Sequence, residues 1–292
     1  MLSCPVCAQP LVAADSAMRC EQGHGYDLAR EGYVNLLLAQ QRHSRDPGYS
    51  REMIAARRDF FDAGHYQAHA DDLARIIRGH LSGEPAELVV DAGCGEGYYL
   101  RRLRVALESS AVVGAGAAAA AGPVLCGLDI SKHGVRVAAR RDRGGVYAVA
   151  GTHRMPVLAE RVSVLLTHFS PVSPDDFARV VRPGGVVLVA GPGEDHLYSF
   201  KQLLYDAPTA HRPVDQLAGD ARFERLGWSR IRHPLHLKGA QHVRNLLAMT
   251  PFFWTLDAAG QARLGRVEQL ITETDIVVRA YRRLPLTNGH TR

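Results

Sequence analysis

The first 24 residues hold three of the chain's five cysteines and a histidine, in the order Cys4, Cys7, Cys20, His24. The spacing, C-x2-C-x12-C-x3-H, puts two thiolates on one tight knuckle and a thiolate with an imidazole on a second. Such donors close a tetrahedral site, and four protein ligands leave no place for water, so the implied ion is a structural zinc. Simple packing of the thiols is the weaker reading, because a segment of 35 residues has too little apolar matter to fold unaided. Ribbons of this type present a rigid surface to a nucleic acid or a protein.

A second cluster lies in "LVVDAGCGEGYY", residues 88–99, where Asp91, Gly93, Gly95 and Gly97 follow an apolar strand and precede a helix. This D-x-G-x-G-x-G pattern resembles the first motif of class I S-adenosylmethionine-dependent methyltransferases. Glycines there let backbone N–H groups approach a carboxylate, and an acid nearby meets an ammonium. A dinucleotide site would carry G-x-G-x-x-G instead. Asp129 ends the next strand in "CGLDIS", where a carboxylate accepts hydrogen bonds from both ribose hydroxyls. It lies 38 residues after Asp91, beyond the usual gap of roughly 20. An uncharged Ala/Gly stretch at 111–123 accounts for most of the excess and reads as a low-complexity surface insertion. Cys94, inside the glycine loop, reads as a small packing residue rather than a nucleophile.

The acceptor side is less explicit. The loop "THFSPVSP" (residues 167–174) lacks the D/N-P-P-Y/F tetrapeptide of many enzymes that methylate exocyclic amines, and lacks a cysteine able to add to a pyrimidine. Methylation of a ring nitrogen or an oxygen remains. For guanine N1, catalysis is chiefly positioning plus help in removing a weakly acidic proton. His153, His168, Asp195 and His196 are candidate helpers, and the sequence singles out none of them.

These residues need a scaffold, and the periodicity supplies one. Helical patterns at 68–81, 98–108, 133–141 and 175–181 alternate with the strand-like "ELVVDAG", "VLCGLDI", "VYAVAG", "VSVLLTHF" and "GVVLVAGPG". That alternation implies an α/β fold with a mostly parallel sheet and helices on both faces. Short strands such as "WSRIRHPLHLKG", a helix near 242–248 and a last strand in "DIVVRAYRRLP" are expected to complete it and carry a cap-like insertion. Residues 1–35 read as the zinc-binding ribbon, 36–67 as a basic linker and arm, and 68–292 as the catalytic domain. Ser50 caps a helix in the arm, from whose surface Arg51, Arg57 and Arg58 are expected to project.

The net charge of +5 is a mild pointer to a polyanionic partner. No apolar run reaches the roughly 18 residues of a membrane span, and "MLSCPVC" has no secretory character, so the expected address is the cytoplasm. Cytoplasmic thiols are kept reduced, which favours metal over disulfides.

Taken in order, "CPVCAQPL", "CEQGHGYDLAREGYVNLL", "RHSRDPGYSREMIAARRDFFDAGHYQ", "DAGCGEGYY", "GLDISK", "VVRPGG" and "LLAMTPFFW" closely resemble the bacterial 23S ribosomal RNA guanine-N1-methyltransferase family. The resemblance covers nearly the whole chain and implies a class I (Rossmann-like) methyltransferase preceded by a zinc ribbon. It implies zinc at Cys4, Cys7, Cys20 and His24, and S-adenosylmethionine contacts from Tyr66, Gly95, Glu96 and His196. It further implies a 23S rRNA hairpin, or a large-subunit precursor, as partner, with two subunits cooperating around one hairpin. Two branches of the family modify neighbouring guanines, one in housekeeping and one in macrolide resistance; "SRDPGYS" and "GCGEGYY" look more like the former. Arg42, His43, Arg45, Arg51, Arg57 and Arg58, with Arg222, Arg225, Arg230, Arg232, Lys238 and Arg244, are candidate phosphate contacts. A small-molecule methyltransferase would have no use for the ribbon and basic arm. A non-catalytic RNA-binding protein would have no use for intact acids and glycines at 91–97 and at Asp129.

Overall fold

The computed structural model describes residues 1–41, 48–84, 87–111, 122–250 and 256–285. Arg42, His43, Arg45, most of the Ala/Gly stretch and the "PFFW" of the C-terminal motif lie outside them.

Three short antiparallel strands, β1 (Val12–Ala14), β2 (Ala17–Arg19) and β3 (Gly25–Asp27), form a small sheet around the Cys/His cluster. β4 (Tyr33–Asn35) follows, then α1 (Arg51–Asp62) and α2 (Gln67–Arg78). The alternating part runs β5 (Leu88–Ala92), α3 (Tyr98–Ala111), β6 (Val124–Asp129), α4 (Lys132–Arg141), β7 (Val146–Val149), β8 (Val162–His168), α5 (Pro174–Val180) and β9 (Val181–Pro192). It closes with α6 (Tyr198–Leu204), β10 (Phe223–Lys238), α7 (Ala240–Ala248), α8 (Ala258–Gly265) and β11 (Gln269–Arg283).

Eight strands form one sheet in the order β10-β11-β9-β8-β5-β6-β7-β4. All neighbouring pairs from β9 to β4 are parallel, while β11 runs antiparallel to both β9 and β10. β5 and β8 are buried at every residue, as strands covered on both faces must be, which is why they read as continuous apolar runs. The C-terminal hairpin is one long pair of 16- and 15-residue strands rather than several short ones. Pro234 and the bulge at Gly227 are tolerated because β10 is an edge strand with only one partner. β4 pairs in parallel with β7, so a strand from the cysteine-rich segment forms the opposite edge of the large sheet.

The ribbon is also packed against that sheet. Leu2, Leu11 and Leu36 are buried in one apolar cluster with Met155 and Val157, and the Ser3 N–H donates to the Pro156 carbonyl at 2.9 Å. A second cluster on the other face joins Phe60, Phe61 and Tyr66 to Leu73, Leu100 and Leu103. Among the described residues no helix is long and apolar enough to cross a membrane.

Candidate functional site

Open parallel sheets bind ligands at the carboxyl ends of their strands, where the strand order reverses. Here that point is β5, between β6 and β8. The loop after β5 carries Gly93, Gly95 and Gly97, all with positive φ (103°, 56° and 75°). A Cβ at Gly93 would lie 2.2 Å from the Ser170 hydroxyl, and one at Gly97 2.8 Å from the Ala138 Cβ, so neither position accepts a side chain.

Beside the loop is a cleft with two lobes of about 430 and 560 Å³. Gly93, Asp129, Ile130 and Ser170 line both lobes, and Gly95 lines the larger. Asp129 is buried with each carboxylate oxygen engaged: one accepts from the Gly95 N–H at 2.8 Å, the other from the Ser131 N–H at 2.7 Å. It therefore fixes the glycine loop as well as facing the cleft.

Asp91 and Glu96 lie deeper. Neither oxygen of Asp91 has a partner, and Oε1 of Glu96 has none. The other Glu96 oxygen accepts from Arg57 Nε at 2.6 Å. Burial, with the Asp129 charge adding to it, pushes the Asp91 carboxyl up to about 7. Arg57 is a departure from the sequence reading, which put it on the helix surface. Met53, Phe60 and Phe61 share its helical face and are buried, so the guanidinium is carried inward and stacks 4.8 Å from the Phe61 ring. The rest of the arm follows: Gly48 presses against Ser131, whose hydroxyl donates to the Tyr49 carbonyl at 2.9 Å.

A third cavity of about 250 Å³ adjoins the cleft, sharing Tyr49, Arg57 and Phe169 with it. Tyr66, His196 and His211 line this cavity. The backbone N–H of Asp275 donates to His196 Nδ1 at 3.2 Å. Burial, with the His211 charge second, pulls His196 down to about 3, so the ring is neutral with its proton on Nε2. His211 Nε2 is buried without a partner. Phe169 is half exposed (42%) with φ 53°, an expensive conformation for a bulky residue, and sits between the rings of His168 and His196.

The remaining candidates separate. His168 Nε2 meets His69 Nε2 at 3.0 Å in a buried pair that burial keeps neutral. His153 lies in the outer lobe. Asp195 is tied to Arg230 and Arg232 at 3.2 and 3.3 Å. Four of the C-terminal arginines have carboxylate partners: Arg222 with Asp175 and Asp220, Arg225 with Asp215, Arg230 with Asp275 and Arg232 with Glu273. Sequence reasoning missed Tyr49, Arg57, Phe169 and His211 as lining residues. Only Arg57 left a signal, its spacing four residues from Met53 and from Phe61.

The four ligating atoms of Cys4, Cys7, Cys20 and His24 lie within 4.8 Å of one another. Cys7 and Cys20 sulfurs are 3.6 Å apart, and His24 Nδ1 is 3.6 Å from Cys4 and 3.4 Å from Cys20. These match the edges of roughly 3.5–3.8 Å expected of a tetrahedron with zinc–sulfur bonds of about 2.3 Å.

Known proteins resemble this chain in sequence. The family model described as "RlmA, N-terminal", a zinc ribbon, matches residues 2–45. A Streptomyces fradiae protein named 23S rRNA (guanine(748)-N(1))-methyltransferase is 34% identical over 90% of this chain and 89% of its own. A Micromonospora griseorubida protein, provisionally named 23S rRNA (guanine-N1)-methyltransferase, is 37% identical over 94% of this chain and 95% of its own. The chain belongs to the 23S rRNA guanine-N1-methyltransferase family. Among solved structures, a geranyl diphosphate methyltransferase in complex with S-adenosylmethionine aligns with a TM-score of 0.42 at 15% identity, over 82% of this chain and 93% of its own.

The family's methyl donor suits the residues present. Unpartnered carboxylate oxygens on Asp91 and Glu96 suit a cation, and Gly93 and Gly95 bring bare backbone to the cleft wall. The cysteine cluster likewise fits a structural zinc.

Two outcomes follow from this geometry. Purified protein should contain about one zinc per chain, lost in Cys20→Ser, with a lower melting temperature because Leu2 and Leu11 lose their anchor; metal analysis showing none would contradict the site. Asp91 titrates near 7 in the folded protein against an ordinary 3.8, so its ionisation works against folding as pH rises through that window. A donor ammonium beside it reverses the preference. Donor binding at about pH 6 should therefore expel a proton and tighten towards neutrality, and Asp91→Asn should abolish the proton release seen by calorimetry in buffers of different ionisation enthalpy.

Proposed function

We propose that this chain transfers a methyl group from S-adenosylmethionine to N1 of a guanine in a hairpin loop of 23S rRNA, with two subunits acting around one hairpin. The observation that carries the reading is Phe169: an exposed aromatic in a left-handed conformation, where the donor cleft meets a cavity lined by aromatic rings. A looped-out base stacks on such a ring, and RNA recognition of single-stranded loops works by stacking and edge hydrogen bonds. Family membership and the reactions for which its relatives are named supply the base and the atom.

In this reading Asp129 receives the donor's ribose hydroxyls and Asp91 and Glu96 counter its ammonium; the N–H groups of Gly93, Cys94, Gly95 and Gly97 are already bonded to Leu128, Asp129 and Cys94, so they shape the loop rather than hold the donor's carboxylate. When bound, the donor supplies an electrophilic methyl carbon. The protein's part is then to hold the guanine flat against Phe169 with N1 facing that carbon, and to dispose of the N1 proton. His196 cannot take the proton, because its Nδ1 is committed to the Asp275 N–H and its Nε2 already carries one. It serves instead as a hydrogen-bond donor at the cavity wall. His211, kept neutral by burial and with Nε2 unpartnered, is the group we assign to accept the proton, in the tautomer with its own hydrogen on Nδ1.

Labelled methyl should enter unmodified large-subunit RNA. Phe169→Ala should raise KM for RNA by about 5- to 150-fold, the worth of one stacked base, with donor affinity unchanged. His211→Gln should lower kcat by about 100-fold while leaving KM in place. Unaltered kinetics in Phe169→Ala, or label confined to small molecules, would contradict the reading. Guanine 748, named for the Streptomyces fradiae relative, is the position against which the mapped base is compared.

A further inference from the structure

Beyond Arg57, α1 ends at Asp62 beside a separate open cavity of about 390 Å³, enclosed by the start of α2, one face of α3 and the end of α4. Four guanidinium groups converge on it, from Arg101, Arg102 and Arg104 of α3 and Arg141 of α4. Three are neutralised. Arg102 pairs with Asp71, Arg104 with Asp142 at 2.8 Å, and Arg141 with Asp62 at 2.8 Å.

Arg101 is different. Among the described residues no carboxylate lies within ion-pair distance of it, and its Nη1 reaches only the Glu96 carbonyl, at 3.5 Å. The guanidinium lies 5.8 Å from the Tyr98 ring, which holds it in place without neutralising it. Burial, and then repulsion from Arg141, pull its proton affinity below the ordinary arginine value. A partly desolvated cation without a counter-charge is costly, and the cavity is left with one positive charge more than its carboxylates supply.

We infer that this cavity is an anion site that receives one backbone phosphate of the RNA substrate, with Arg101 as its principal ligand. A phosphodiester suits the site because Arg101 lines an open cavity with only one weak contact, from Nη1, and a guanidinium can donate to two phosphate oxygens at once. The site is linked to the donor cleft by α1 itself. Arg57, at the cleft, and Asp62, at the cavity rim, are five residues apart, about 8 Å along the helix axis. The inference rests on RNA being the substrate, and its test separates the two claims.

The experiment measures the affinity of the full chain for an unmodified transcript of a large-subunit RNA hairpin across a series of salt concentrations, for wild type, Arg101→Gln and Arg101→Lys. Arg101→Gln should weaken binding about 5- to 10-fold near 0.1 M salt and reduce the slope of log K against log salt by about 0.7, one phosphate contact on a single strand. Arg101→Lys should keep the slope. Donor affinity should be unchanged in both, and the melting temperature should not fall, rising slightly in Arg101→Gln as the uncompensated charge is removed, which excludes a folding defect. Wild-type binding with an unaltered slope in Arg101→Gln would overturn the phosphate site and leave the RNA reading intact. Inorganic phosphate binding that Arg101→Gln abolishes, without any loss of RNA affinity, would show a free-anion site and overturn the assignment to RNA. Failure of the wild-type chain to bind RNA at all would overturn the substrate reading and this site with it.

Discussion

A single buried ion pair, Arg57 to Glu96, ties the two halves of the site together. Glu96 is fully buried in the glycine loop, and a carboxylate there without a partner would cost several kcal/mol. Arg57 reaches it only when α1 is docked against α7 and α4 beside the glycine loop, and there the carboxylate's charge more than offsets the burial that would otherwise lower the guanidinium's proton affinity. Formation of the donor loop and docking of the basic arm are therefore one event. The contacts around it agree: Phe61 stacks on Tyr98 with ring centroids 4.4 Å apart, and Ser131 holds the Tyr49 carbonyl. The segment between ribbon and sheet thus supplies a wall of the cleft beside the glycine loop.

The sheet sets everything else. Because β5, β6, β8 and β9 run parallel, their carboxyl ends deliver Asp91, Asp129, His168 and Pro192 to one rim. The acids are sunk below that rim and the aromatics stand on it. This division suits a reaction in which a cationic donor is held by buried negative charge and an aromatic acceptor by ring faces. His168, one of the candidate helpers, is buried against His69 and joins α2 to the end of β8 next to Phe169.

Much of this was legible because it depends on local chemistry. Cysteine spacing alone specified the ribbon's tetrahedron, and the alternation of strand and helix patterns specified the sheet, with Ser50 capping α1 as short polar residues do. The acids Asp91 and Asp129 were legible because they end apolar strands. What escaped depends on partners distant in sequence. Arg57 looked like one more basic residue of the arm until Glu96, 39 positions away, was placed beside it. The C-terminal arginines looked free for phosphate, yet the long β10–β11 pairing sets Arg230 and Arg232 beside Asp275 and Glu273. His211 lies in a stretch without periodicity or motif, so nothing local marked it.

The central claim, that arm and donor loop are coupled through one ion pair, is tested most directly by a double-mutant cycle on donor affinity using Arg57→Met, Glu96→Gln and the pair. Each single change should weaken donor binding at least tenfold, and the double variant should bind no worse than the weaker single one, a coupling of about 1–3 kcal/mol. Losses that simply add would show that Arg57 and Glu96 serve the donor site independently, and would contradict the account.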